Sequence, residues 1–182
     1  MTTSPEPVLN VQRILDALDR HHVDYLAVGG TAANVYGASR VTEDFDCIPE
    51  RSDDNLARLA LAMQELNARF RIEGLTDAEA QALPNMLDAR ALRQMELSTW
   101  RTDAGDFDVL SDLPNRQGDH LRYEQLAPRA LTFDVTGYPI RVAAIEDIIS
   151  SKEWADRPKD HEALPELRAL RDARTQGRGQ AP

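Results

Sequence analysis

Two short runs, Asp44-Phe45-Asp46 and Asp106-Phe107-Asp108, each set a pair of carboxylates around a single aromatic residue. Apolar residues follow both, Cys47-Ile48 in one case and Val109-Leu110 in the other, so each reads as a β-strand. Side chains alternate along a strand, so the two aspartates of each run face one way and the phenylalanine the other. Each strand can bury its ring and still offer carboxylates. Oxygen donors converging from two neighbouring strands suit Mg²⁺, a hard cation bound through a few carboxylates and the phosphates of a substrate. The chain holds 19 aspartates, enough for chance to place as many such triplets, so the apolar centres and flanks carry the inference rather than the count. A structural reading would leave two half-exposed strands with solvated aspartates.

The elements that must position these residues follow from periodicity. Val8, Val11, Ile14, Leu15 and Leu18 make one helical stripe, an amphipathic first helix over 8–21. Asp24 to Val28 reads as a short strand running into Gly29-Gly30, and Thr31 to Tyr36 as a helical turn or two ending at Gly37. A glycine turn there lets a phosphate approach the backbone, with a helix N-terminus and the Thr31 hydroxyl behind it; equally, the glycines serve a simple tight turn. Val41 to Ile48 is the second strand, stopped at Pro49. Ser52 caps a helix with Asp53 and Asp54 in its first turn and Leu56, Leu59, Ala60, Met63 and Leu66 on one face.

Further along, Phe70 to Ile72 reads as a short strand and Asp77 to Leu83 as a short helix stopped by Pro84. Leu97–Thr102 and Phe107–Leu110 form a hairpin across Asp103-Ala104-Gly105, and Leu131–Val135 and Tyr138–Val142 another across Thr136-Gly137. A helix over 144–154 carries Ile145, Ile148 and Ile149, and Asp156 to Asp160 is a loop before a helix over 164–170. The expectation is an α/β (α+β) fold in which a small mixed sheet is flanked by helices. It divides into a core over 1–142, a helical C-terminal part over 143–174 that packs on it, and a disordered tail over 175–182.

At 182 residues the chain suits one substantial core. Hydrophobic residues are 42% and charged residues 29%, an ordinary globular composition. No apolar run approaches the roughly 18 residues of a membrane span, and the N-terminus lacks a basic segment followed by an apolar one, so a cytoplasmic protein is expected. Cys47 has no cysteine partner and no histidine at zinc spacing, which makes it strand core. A net charge of −10 argues against a broad grip on nucleic acid, so any RNA contact must be local. The arginines at 90/93, at 116/122/129 and along 168–178 are diluted by acidic neighbours and read as solvated surface. The four histidines show no ligand or triad spacing, and Trp100 and Trp154 are expected in the core.

The stretch from Gly29-Gly30-Thr31 through Arg40-x-Thr42 to Asp44-Phe45-Asp46 resembles the core of the polymerase-β-like nucleotidyltransferases, in which a glycine turn precedes a D-x-D strand and a further carboxylate comes from a later strand. Within that superfamily the pattern is nearest to the MenT/AbiEii toxin nucleotidyltransferases, which also carry a C-terminal lysine and a Lys-Asp, similar to Lys152 and Lys159-Asp160. Many AbiEii-type members place a lysine just before the glycine pair; Val28 stands there, with Arg40 as the candidate replacement.

The resemblance implies transfer of a nucleoside monophosphate from an NTP to an acceptor hydroxyl with release of pyrophosphate. Asp44, Asp46 and Asp108 would hold Mg²⁺. Asp108 is preferred to Asp106, which borders the Gly105 turn, and would also help deprotonate the acceptor. Gly29, Gly30, Thr31 and Arg40 would contact the nucleotide, Lys152 would neutralise phosphate charge, and Asp160 would orient Lys152 or the substrate hydroxyl. The structural counterparts are an exposed helix-end lysine and a helix cap. By resemblance the acceptor is the tRNA 3′ end and the partner a cognate antitoxin. The alternatives are transfer to a protein side chain or a small molecule, or a non-catalytic nucleotide-binding interaction module.

Overall fold

The computed structural model describes residues 8–72, 74–75, 77–82 and 87–178. α1 (Val11–Arg20), capped by the Asn10 side chain, buries Ile14, Leu15, Ala17 and Leu18. It leads through β1 (Tyr25–Val28) and α2 (Gly29–Tyr36) to β2 (Asp44–Pro49) and α3 (Asp53–Glu65), whose cap is Ser52. After β3 (Arg69–Phe70), α4 (Asp77–Ala82) and α5 (Ala89–Gln94), a tight hairpin forms from β4 (Leu97–Thr102) and β5 (Gly105–Leu110). A small ribbon of β6 (Leu113–Pro114) and β7 (His120–Leu121) precedes α6 (Tyr123–Leu126). The hairpin β8 (Leu131–Val135) and β9 (Tyr138–Val142) is followed by α7 (Ile145–Ala155) and α8 (Pro158–Arg178).

Seven strands form one sheet in the order β3-β4-β5-β2-β1-β9-β8, with β2/β5 and β1/β9 parallel and the other neighbours antiparallel. This is the mixed sheet flanked by helices that the patterning predicts. Register explains the alternation. Asp44 stands opposite Asp106, Phe45 opposite Phe107 and Asp46 opposite Asp108, while Trp100 of β4 faces Phe107 from the other side. Cross-strand partners share a face. One face therefore carries Phe45, Phe107 and Trp100, all fully buried, and the other carries the aspartates. Phe45 and Phe107 have ring centroids 5.1 Å apart, and Phe70 meets Trp100 at 4.2 Å. Residues of α7 and α8, among them Ile148, Ile149, Leu164 and Leu167, join the same hydrophobic core as the sheet, and Cys47 is buried within it.

Several boundaries differ from expectation. β2 begins at Asp44 rather than Val41, which is 84% exposed. α8 begins at Pro158, so only two residues separate it from α7, and it continues to Arg178, into the first four residues of the stretch expected as tail. Proline is favoured in a first helical turn because its missing N–H would have no partner there. Residues 179–182 and the expected stop at Leu83-Pro84 lie outside the described residues. Trp154, expected in the core, is 47% exposed, with the His120 ring edge-on at 6.0 Å. Among the described residues no helix is long and apolar enough to cross a membrane.

Candidate active site

β2 and β5 run parallel with Asp46 beside Asp108, and this register gathers Asp44, Asp46 and Asp108 so that one oxygen from each lies within 4.8 Å of the others. Asp106 occupies the same face but is drawn away. Its carboxylate accepts from Arg71 Nη1 at 2.8 Å and from Arg101 Nε at 3.1 Å. The three remaining carboxylates crowd one another. Burial, then the charges of Asp44 and Asp108, push the Asp46 carboxyl up to about 7 despite a hydrogen bond from the Gly30 amide. Burial and the Asp44 charge push Asp108 to about 6. Asp108 Oδ1 is buried with no hydrogen-bond partner among the described residues. Such an orphan acceptor in an all-oxygen cluster fits a hard divalent cation, whose charge would offset both the desolvation and the mutual repulsion.

The glycine pair has an immediate structural reason. Gly29 sits at φ +60°, and a Cβ there would overlap the Asp46 carboxylate, while one at Gly30 would overlap the Thr42 hydroxyl. The turn thus lets the β2 carboxylate lie against the start of α2, where the Gly30 amide donates to it. Thr42 Oγ1 donates within 3.0 Å of Asp44 Oδ1, orienting that side chain. Thr31, expected to offer its hydroxyl to a phosphate, is buried and donates to the Asp44 carbonyl at 3.2 Å. It positions the strand rather than facing the groove.

The carboxylates open into a groove of about 460 Å³ bordered by Gly29, Gly30, Arg40, Lys152, Arg157 and Lys159. The last three come from the α7–α8 junction. Asp160 is fully buried and holds two of them there: Lys152 Nζ donates to its Oδ1 at 3.0 Å and Arg157 Nε to its Oδ2 at 2.7 Å. Burial alone would raise the Asp160 carboxyl, but the hydrogen bonds and positive charges of Arg157 and Lys152 together outweigh it and hold its pKa below the ordinary value. Arg40 reaches the rim from the α2–β2 loop and is paired with Glu162 of α8 at 2.8 Å. A separate hollow of about 530 Å³, bordered by Tyr25, Arg58 and Tyr138, contains none of these groups.

Of the residues singled out from sequence, Asp44, Asp46, Asp108, Gly29, Gly30, Arg40 and Lys152 border one groove, while Asp160 supports it from below and Thr31 from behind. Thr42 and Lys159 appeared only as motif residues without a role, and Arg157, Arg71 and Arg101 were missed. Arg157 and Lys159 lie beside Asp160 in sequence, and starting the helix at Pro158 would have aimed them at the site. Arg71 and Arg101 become visible only through strand register.

This is the fold of the nucleotidyltransferases. One solved structure of that fold is the lincosamide antibiotic adenylyltransferase LnuA with lincomycin bound, 11% identical over 90% of this chain and 99% of that one, with a TM-score of 0.59. Another is ANT(2″)-Ia in complex with adenylyl-2″-tobramycin, 17% identical over 91% of this chain and 95% of that one, with a TM-score of 0.53. At these identities the likeness is one of fold. No protein-family model matches the chain, and no curated protein matches it.

Proposed function

We propose that the protein is a Mg²⁺-dependent nucleotidyltransferase that moves a nucleoside monophosphate from an NTP to an acceptor hydroxyl. The observation that carries this reading is the convergence of Asp44, Asp46 and Asp108, with an unsatisfied buried oxygen on Asp108, at the start of α2 and across a groove from two lysines. The three carboxylates would hold the metal, which supplies charge neutralisation for the triphosphate. Lys152 and Lys159 balance the remaining phosphate charge, with Lys152 fixed by Asp160. Asp108 accepts the proton of the acceptor hydroxyl as its oxygen bonds to the α-phosphorus and the bond to pyrophosphate breaks.

Resemblance to the MenT/AbiEii toxins supports the tRNA 3′ end as acceptor and a cognate antitoxin as partner. A second reading, transfer to a small hydroxylated molecule, is favoured by the net charge of −10 and by a fold shared along nearly its full length with adenylyltransferases whose names specify antibiotics. Incubation with each α-labelled NTP, Mg²⁺ and either total tRNA or a small-molecule extract separates the two. Label on tRNA 3′ ends supports the first and label on a small product the second. No labelled product with any NTP and acceptor overturns the enzymatic reading.

A further inference from the structure

The polar face of the sheet continues past Asp108. Thr99 of β4 stands opposite Asp108, and Arg101 opposite Asp106. Arg71, just after β3, donates its amide to the Thr99 carbonyl at 3.0 Å and accepts from the Thr99 hydroxyl at 3.2 Å, which extends the row Asp46, Asp108, Thr99 by one residue. Its side chain reaches back along this face to Asp106. Arg101, only 14% exposed, already gives Asp106 a buried counter-charge, whereas Arg71 is 52% exposed and makes a single hydrogen bond there. With Arg101 left to balance Asp106, this half-exposed contact adds little to stability. The other guanidinium donors of Arg71 have no partner among the described residues. Lys152, Lys159 and Arg40 border the groove together with the glycine turn, whereas Arg71 extends the aspartate row on the β4 side of Asp108, next to Arg101.

We propose that Arg71, held in place by Asp106, is an acceptor-binding residue that takes a phosphodiester oxygen next to the hydroxyl receiving the nucleotide. The inference rests on the reading of the groove as a transfer site with Asp108 facing the acceptor. A guanidinium held through its Nη1 keeps its other donors in a planar fork, a geometry matched to phosphate. The acceptor class is therefore anionic; a cationic acceptor would meet like charge at this position.

The test uses the full chain with Mg²⁺ and two short single-stranded RNAs that differ only in the last linkage, a phosphodiester or a neutral methylphosphonate. Wild type should bind the phosphodiester RNA about tenfold more tightly, since charge-assisted hydrogen bonds of this kind are the strong ones. R71Q should bind both RNAs alike, with the log-log salt slope reduced by about 0.7 for the one lost phosphate contact. R71K should restore part of the preference. Discrimination through Arg71 without nucleotide transfer would sustain this inference and remove the proposed activity; transfer with R71Q keeping the wild-type preference would do the reverse. A melting temperature lowered by several degrees in R71Q, a raised KM for the NTP instead of the acceptor, or no binding of either RNA by wild type would each overturn the inference.

Discussion

Asp46 and Phe45 are neighbours with opposite duties, and single substitutions should separate them. Asp44→Ala and Asp46→Ala should each abolish transfer while leaving the fold intact, and Asp108→Asn should be more damaging to transfer than Asp106→Asn. Phe45→Ala, which truncates a fully buried ring, should cost about 3 to 5 kcal/mol of stability, read as a lower denaturation midpoint. A protonation signature adds a finer test. Asp46, held at about 7 by burial and by its acidic neighbours, resists ionisation in the folded state, so its ionised form destabilises the metal-free protein progressively from the ordinary carboxylate pKa up to about 7. In chelator, Asp46→Asn should therefore melt above wild type at pH 8 and together with it at pH 4. Added Mg²⁺ should reverse the order at pH 8, because only wild type keeps the full set of ligands. Equal melting at both pH values would show that the aspartate is not under this strain.

At the scale of elements, the short α7–α8 junction is held by the fully buried Asp160 carboxylate with its lysine and arginine. Asp160→Asn should destabilise the protein by about 3 kcal/mol, as removal of one partner from a buried ion pair does. The deficit should shrink in acid: the native carboxyl is held below its ordinary pKa, so its contribution is present above that value and lost as the pH falls through the depressed one. Activity should fall as well, since Lys152 loses its anchor. A pH-independent melting difference would contradict the assignment. The longer strands of this fold were legible because they carry a period-two pattern or a turn glycine, and the D-x-D runs named the carboxylates directly. The helix after Asp156 was legible only over 164–170, because Asp156 to Asp160 with its Pro158 reads locally as a loop, whereas Pro158 opens α8. The β6/β7 ribbon, two residues per strand, is too short to show any period. Arg71 and Arg101 escaped notice since only the pairing of β3, β4 and β5 brings them to Asp106.

For the molecule as a whole, charge sets the terms of association. With a net charge of −10, a nucleic-acid acceptor must be held by a confined basic rim, and only a few phosphates can be neutralised. Affinity for tRNA should then fall with a log-log salt slope of magnitude about 2 to 4. A steeper slope would mean that the surface offers more basic contacts than this rim. Association should also be slower at low ionic strength than for basic RNA binders, since the overall field repels the approaching strand.

The alternation along β2 has one more consequence. Because this strand lies between β1 and β5, a slip of a single residue would turn Phe45 into the groove and send Asp44 and Asp46 into the apolar interior. Burial of the ring and assembly of the carboxylates are thus decided by the same event. A chain that has collapsed in the wrong alignment has no partial activity to offer, and the first molecules able to bind the metal are those that have already finished folding.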